Sequence, residues 1–275
     1  MKILIFILVF LFGTIIGSFL NVVIYRFNTG KSIVFGRSIC MHCNKHLKWY
    51  EMIPVFSFLV QKGRCRHCAG KISFQYPVVE ILMGLVFSLI LFKFLPVLYF
   101  SIGAYILYVS LFTVIFSLLI VITFYDIRHK VIPNKLVWIF IGISFLSIFI
   151  NPATSFYFSG KILTLPTFYS LISGPIFALP FVLIWALSKG RLMGLGDSKL
   201  ILGMGWLLGI SQSIFAIVLA FWVGAIIGLL IIIFSKKKFG MKSQIAFAPF
   251  LILSIFITFL LNLNFMSLIK IFSFH

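Results

Sequence analysis

The sequence predicts an all-α, polytopic membrane protein with about eight transmembrane helices and one large cytoplasmic loop. Three observations carry this expectation. The 275 residues are 62% hydrophobic and only 10% charged, with a mean hydropathy of +1.21, which leaves too little polar surface to coat a soluble domain. Several apolar runs reach about 20 residues, the length that crosses roughly 30 Å of hydrocarbon. The basic residues are also segregated among the segments that join those runs.

The first run, 3–25, ends at Arg26. One lysine precedes it, its apolar stretch is long, and it lacks a small-x-small cleavage site, so it reads as an uncleaved first span with its N-terminus outside. Further spans are expected at 77–95, 97–124, 134–150, 168–188, 198–212, 214–235 and 248–270. Pro96, "IPNK" at 132–135 and "NPATS" at 151–155 mark turns or helix starts between them. The 198–212 segment is short and holds Gly203, Gly205 and Gly209, so it could fuse with the next span into one crossing. Three regions follow: a first helix (1–25), a cytoplasmic loop (26–76) and a multi-helix membrane domain (77–275).

The formal net charge is +19, with 23 Lys and Arg against four acids. In a soluble chain that excess would suggest nucleic acid. Here it fits the bias of Lys and Arg toward cytoplasmic loops, so anionic lipids are the expected partner and nucleic acid is not. With the N-terminus outside, nineteen of the 23 fall on one side, in 26–76, 126–135, 189–199 and 236–242. Fusing 198–212 with its neighbour would move Lys236, Lys237 and Lys238 across, so charge favours two crossings.

All four cysteines lie in the first cytoplasmic loop, as "CMHC" (Cys40, Cys43) and "CRHC" (Cys65, Cys68), with 21 residues between the pairs. Two such knuckles can present four thiolates tetrahedrally, the arrangement that structural Zn²⁺ prefers. A reducing cytoplasm disfavours disulfides, and Lys45, Arg64 and Arg66 favour the thiolate forms. The competing readings are ordinary thiols or a redox pair. His42, His46 and His67 could substitute as ligands but are not needed. A filled Cys₄ shell has no open position for substrate, so the expected role is structural.

The chain has two aspartates, Asp126 in "FYDIRHKVIPN" and Asp197 in "GLGDSKL". The expected topology puts both at the cytoplasmic face, where an ionisable group is a functional candidate. Two adjacent carboxyls share a proton more readily than they both ionise. One can then deprotonate water while the other polarises a carbonyl and protonates a leaving nitrogen, which is metal-free aspartic-protease chemistry. The alternative is that each caps a helix or neutralises its own Arg128 or Lys199. Gly194 and Gly196 would let another backbone approach beside Asp197. Glu51 reads as a surface ion-pair partner and Glu80 as a helix cap or a partner for a basic loop residue.

These motifs resemble the type IV prepilin peptidase family, membrane aspartic proteases of the GxGD type. "GSFLNVVIYR" at 17–26 resembles the family's first-span signature, and the paired cysteines follow with "HLKWYEMIPVFSFL" between them and "ISFQYPVVE" after. "YDIRHKVIPN" and "MGLGDSKLILGMG" resemble its two catalytic motifs in order, and "IAFAPFL" a late one. Met41, Gln75, Ala246 and Ala248 stand where the family often has Pro, Arg, Pro and Gly. The resemblance implies that Asp126 and Asp197 form a catalytic dyad in a bacterial cytoplasmic (inner) membrane. It implies substrates that are type IV prepilins or type II secretion pseudopilins, cut after a short basic leader at the cytoplasmic face. It also implies N-methylation of the new N-terminus using S-adenosylmethionine, although no glycine-rich fingerprint for that cofactor is visible. Because a basic leader would be repelled by basic loops, substrate recognition is expected to rest on the substrate's apolar helix, with Glu51 and Glu80 meeting the leader. The rival classes are a transporter or channel with acids on its ion path, and a zinc-stabilised scaffold or redox protein with structural aspartates. Among proteases, the rivals are an archaeal preflagellin peptidase or a signal peptide peptidase.

Overall fold

A computed structural model of the chain describes residues 2–150, 161–234 and 246–266. The expected turn at 151–155, the basic segment 236–242 and the end of the last span beyond residue 266 lie outside the described residues. Among the described residues the protein is all-helical, and the only extended pairings are three isolated bridges.

Seven apolar helices dominate. In hydrocarbon each backbone N–H and C=O must find a partner within its own segment, and only a helix satisfies this for a single span. Helix α1 covers Lys2–Arg26, and after a short helix α2 (Phe56–Val60) come α3 (Gln75–Leu98) and α4 (Ile102–His129). The rest are α5 (Asn134–Ser147), α6 (Phe168–Ser188), α7 (Leu195–Phe234) and α8 (Ala248–Leu261). Helices α1, α3, α4, α6 and α7 are long and apolar enough to cross a membrane, while α5 and α8 are shorter apolar helices.

Two boundaries differ from expectation in ways that matter for function. Hydropathy predicts α4 over 97–124, but the helix begins after Ser101, whose hydroxyl accepts the N–H of Ala104 at 3.3 Å. It then runs on to His129, so Asp126 lies inside its last turn. At the other boundary α7 spans 40 residues, about 60 Å at 1.5 Å per residue and roughly twice a hydrocarbon core. It is broken at Gly209, whose φ of 74° and ψ of 178° are non-helical. The break falls inside the expected 198–212 span, near its end, and divides α7 into two apolar segments.

The chain divides into two compact units. The first comprises 1–96 with 105–121 of α4. In it α1 and α3 approach through small residues: a Cβ added at Gly13 would lie 2.8 Å from the Cα of Gly84, and one at Gly17 would lie 2.7 Å from the Cα of Glu80. Lipid supplies no hydrophobic drive between helices, so such backbone proximity, with its dispersion contacts, is what joins them. The Asn21 amide donates to the Tyr76 carbonyl at 3.1 Å, and the Tyr25 and Tyr76 rings stack at 4.9 Å. Phe94 of α3 stacks on Tyr108 and Phe112 of α4.

The second unit comprises 97–104 with 122–275 and contains both aspartates. The first half of α7 is its hub, packed against α5 and α6. A Cβ at Gly205 would lie 2.7 Å from the Cα of Gly174 on α6, and the Trp206 indole donates to the Leu171 carbonyl at 2.9 Å.

Candidate active site and metal centre

The two aspartates reach one place by local means. Helix α4 ends because Lys130 turns left-handed (φ 53°) and returns its N–H to the Asp126 carbonyl at 2.7 Å. The chain then passes through 131–133, where Pro133 precedes the first turn of α5. On the other side, α6 ends at left-handed Lys189, and 190–194 lead into α7. Asp197 sits in the first turn of α7. Its N–H donates to the Gly194 carbonyl at 3.2 Å, and its carboxylate accepts the Gly194 N–H in return. Gly196 makes the approach possible: a Cβ there would lie 2.8 Å from the Cβ of Ile132, in the turn that follows Asp126. The structure thus brings Asp126 and Asp197 within electrostatic range of each other.

Both acids are buried, Asp126 at 5% exposure and Asp197 at 9%. The Oδ1 of Asp197 is buried without a hydrogen-bond partner. A buried acceptor left empty costs about 1–3 kcal/mol, a cost that Asp197 shares with other buried polar groups, Asn21 Oδ1 among them. Lys199, two residues on, does not spend its charge on Asp197. Its amine donates to Asn134 Oδ1 at 2.9 Å and lies 5.4 Å from the centre of the Trp138 ring. That contact ties the start of α7 to the start of α5.

Asp197 does stabilise the helix start, but from the first turn rather than as the residue before it, in the manner of a capping-box acid. Of the two glycines, Gly196 receives another part of the chain as expected. A side chain at Gly194 would meet local atoms, Asp197's own Oδ2 at 3.6 Å and the Gly196 nitrogen at 4.0 Å.

The four cysteines converge. The Sγ atoms of Cys40, Cys43, Cys65 and Cys68 all lie within 4.8 Å of one another, and Cys40 and Cys68 are 3.9 Å apart. A tetrahedron of sulfurs about 2.3 Å from zinc has edges of about 3.8 Å, so the donor set fits that ion. The two knuckles repeat one design. The N–H of Cys40 binds the Lys45 carbonyl and that of Asn44 binds Cys40; the N–H of Cys65 binds Gly70 and that of Ala69 binds Cys65, each at 2.9 Å. Asn44 and Ala69 hold matching left-handed positions, at φ 54° and 56°.

The thiols are not equivalent. Burial opposes ionisation of Cys40, but the N–H groups of Cys43 and His42 and the neighbouring thiols stabilise its thiolate and bring it down to about 7. The Gly70 N–H favours the Cys68 thiolate, yet partial desolvation and the other three sulfurs outweigh it and push Cys68 up to about 11. Of the three histidines, His42 turns its Nε2 to the Lys71 carbonyl at 3.2 Å, and the four-sulfur cluster includes none of them.

The glutamates depart from expectation. Glu51 is buried rather than paired at the surface, and its Oε2 accepts the Lys48 N–H at 2.8 Å. Glu80 is buried in α3 and accepts the Val55 N–H at 2.7 Å and the Ser18 hydroxyl. Both carboxylates are engaged by their own chain.

Comparison with known proteins covers both sites. Residues 11–94, which hold the four cysteines, match the Bacterial Peptidase A24 N-terminal domain, and residues 113–229, which hold both aspartates, match the Type IV leader peptidase family. The chain is 30% identical over 244 residues to a prepilin leader peptidase/N-methyltransferase of Bacillus subtilis (strain 168), covering 88% of each. It is 31% identical over 212 residues to one of Vibrio cholerae, covering 72% of this chain and 75% of that one. It is 29% identical over 278 residues to one of Aeromonas hydrophila, covering 90% and 87%. No solved structure matches the chain.

Proposed function

The chain belongs to the prepilin leader peptidase/N-methyltransferase family of membrane proteases, and from that premise we propose that Asp126 and Asp197 are its catalytic pair. The observation that supports this reading most is that the chain's only two aspartates are both buried and lie within electrostatic range of each other. The substrates are prepilins, and by extension the related pseudopilins of type II secretion. They are cut between a short basic leader and an apolar helix, at the cytoplasmic face of the inner membrane.

In the proposed cycle one carboxyl is ionised and the other protonated. The ionised acid takes a proton from water as the water oxygen bonds to the scissile carbonyl carbon. The C=O electron pair moves to oxygen, and the protonated acid steadies that developing charge by hydrogen bonding. Collapse restores the carbonyl, breaks the C–N bond and delivers a proton to the departing nitrogen. One water is consumed, and a carboxylate and an amine are released. Gly196 contributes by admitting Ile132, and the Lys199–Asn134 contact by holding the α7 start against α5.

The four cysteines would hold Zn²⁺ as a structural ion, giving order to a loop whose own core is small. Methylation of the freed amine by S-adenosylmethionine follows from the relatives' names. Among the described residues no glycine-rich turn joins a strand to a helix, so that activity rests on the family alone. With Glu51 and Glu80 spent on backbone groups, the substrate's apolar helix, packed among the spans, carries recognition.

The test is leader removal from a co-expressed prepilin by wild type, Asp126→Asn and Asp197→Asn at matched membrane levels. The pair requires cleavage by wild type and loss in each variant. Cleavage retained by either one would remove that residue from the chemistry.

A further inference from the structure

The loop between the cysteine pairs carries a feature that the peptidase reading does not use. Phe56, Leu59 and Val60 occupy positions i, i+3 and i+4 of α2 and so share one face, and all three are exposed, Phe56 at 61% and Leu59 at 66%. Just upstream Trp49 is 75% exposed, and Met52 and Ile53 are exposed as well. A cluster of this kind in water is an aggregation hazard unless something covers it.

The display is built, not slack. Val55, immediately before α2, takes φ 60° and ψ −51°, a backbone conformation that a β-branched residue seldom adopts. Its N–H is gripped by the buried Glu80 carboxylate at 2.7 Å. The buried Glu51 carboxylate holds the Lys48 N–H, fixing the turn that carries Trp49. The four clustered sulfurs bracket the segment at 40–43 and 65–68. Strain held by a buried acid points to a function for what it orients.

The surroundings specify the cover. The flanks carry Lys45, Lys48, Lys62, Arg64 and Arg66, while the one acid of the loop, Glu51, is buried and engaged. Lys48 and Arg66 lie 5.9 and 5.2 Å from the centre of the Tyr50 ring. Both ends of the loop run directly into apolar helices, α1 at Arg26 and α3 at Gln75, within one compact unit, so the loop is tethered beside the bilayer surface. Aromatic and basic residues around an apolar edge are the composition that settles at a lipid headgroup boundary. We propose that the edge formed by Trp49, Met52, Ile53, Phe56, Leu59 and Val60 is a membrane-docking surface, seated in the headgroup region of an anionic bilayer with the neighbouring cations against lipid phosphates. This goes beyond the peptidase reading and does not depend on it.

The test uses the full-length zinc-containing chain in lipid discs of phosphatidylcholine, with or without phosphatidylglycerol. Trp49 is the loop's only tryptophan, so subtracting the spectrum of Trp49→Phe isolates its emission. In phosphatidylglycerol-containing discs that emission is expected to be blue-shifted, quenched by lipids brominated near the headgroup end of the acyl chain, and shielded from aqueous iodide. High salt or removal of phosphatidylglycerol should weaken all three effects. The double variant Leu59→Asp/Val60→Asp should lose them while keeping its zinc. Free access of iodide to Trp49 in anionic discs would overturn the proposal. So would protection from iodide and brominated lipid alike, since a protein surface would then be the cover.

Discussion

Asp197 is held at the start of its own helix and is proposed to act with Asp126, and substitution can separate the two roles. Its carboxylate accepts the Gly194 N–H at the start of α7, while Oδ1 is buried and empty. Asp197→Asn keeps an oxygen that can accept the Gly194 N–H but has no ionisable proton. Asp197→Ala loses both. Losing a helix-start acceptor costs about 1 kcal/mol, whereas the amide should cost only a few tenths. Losing an acid–base group typically costs about 10²–10⁴ in rate, or roughly 2.7–5.4 kcal/mol of barrier at 1.36 kcal/mol per decade. The two variants should therefore differ measurably in thermal stability in detergent yet be nearly equal in lost prepilin cleavage. The assays are the unfolding midpoint of purified protein and the rate of leader removal by protein reconstituted in lipid. Asp197→Asn cleaving within tenfold of wild type would refute the reasoning and leave Asp197 as a helix-start residue alone. A stability loss in the amide variant equal to that in alanine would refute the role assigned to the Gly194 contact.

Two further outcomes follow from the packing and the thiols. The purified chain should hold about one zinc, lost when all four cysteines become serine. Its affinity, read by competition with a metallochromic chelator, should fall on acidification. The fall should steepen below about 7, where Cys40 must also give up its proton before it can bind. Gly205→Leu should destabilise the second unit by about 1–3 kcal/mol or prevent its assembly, because even a Cβ there would lie 2.7 Å from the Cα of Gly174. Thermal inactivation in detergent checks this, and a wild-type midpoint would show that α6 and α7 are not held at that distance.

The membrane class was legible because apolar run length is a one-dimensional property. The cysteine centre was legible because two knuckles of matched spacing have few other uses. The position of Asp126 within its helix was not. It depends on α4 running five residues past the apolar window to the left-handed turn at Lys130, and a backbone conformation leaves no mark on a hydropathy window. Nor was the fate of Glu51 and Glu80 legible. Their partners are backbone N–H groups, at Lys48 and Val55, which carry no side-chain signature. The role of Gly196 was half visible: two glycines beside an acid suggested a close approach, but only the fold identifies Ile132 as what approaches. The spacing of Gly13 and Gly17 is a readable signal of helix contact in lipid that hydropathy alone passes over.

The four-sulfur centre has a consequence for how the first helix finds its place. Helices α1 and α3 are joined by residues 27–74, a long tether to close for two helices whose contact rests on backbone proximity. An ion held by the four cysteines would short-circuit that tether to 27–40 and 68–74, less than half its length. By the logarithmic cost of loop closure, this eases the docking of α1 by about 0.7 kcal/mol. An ion bound outside the hydrocarbon would then act as a folding aid within it, and metal scarcity would first be felt as a first helix slow to join its neighbour.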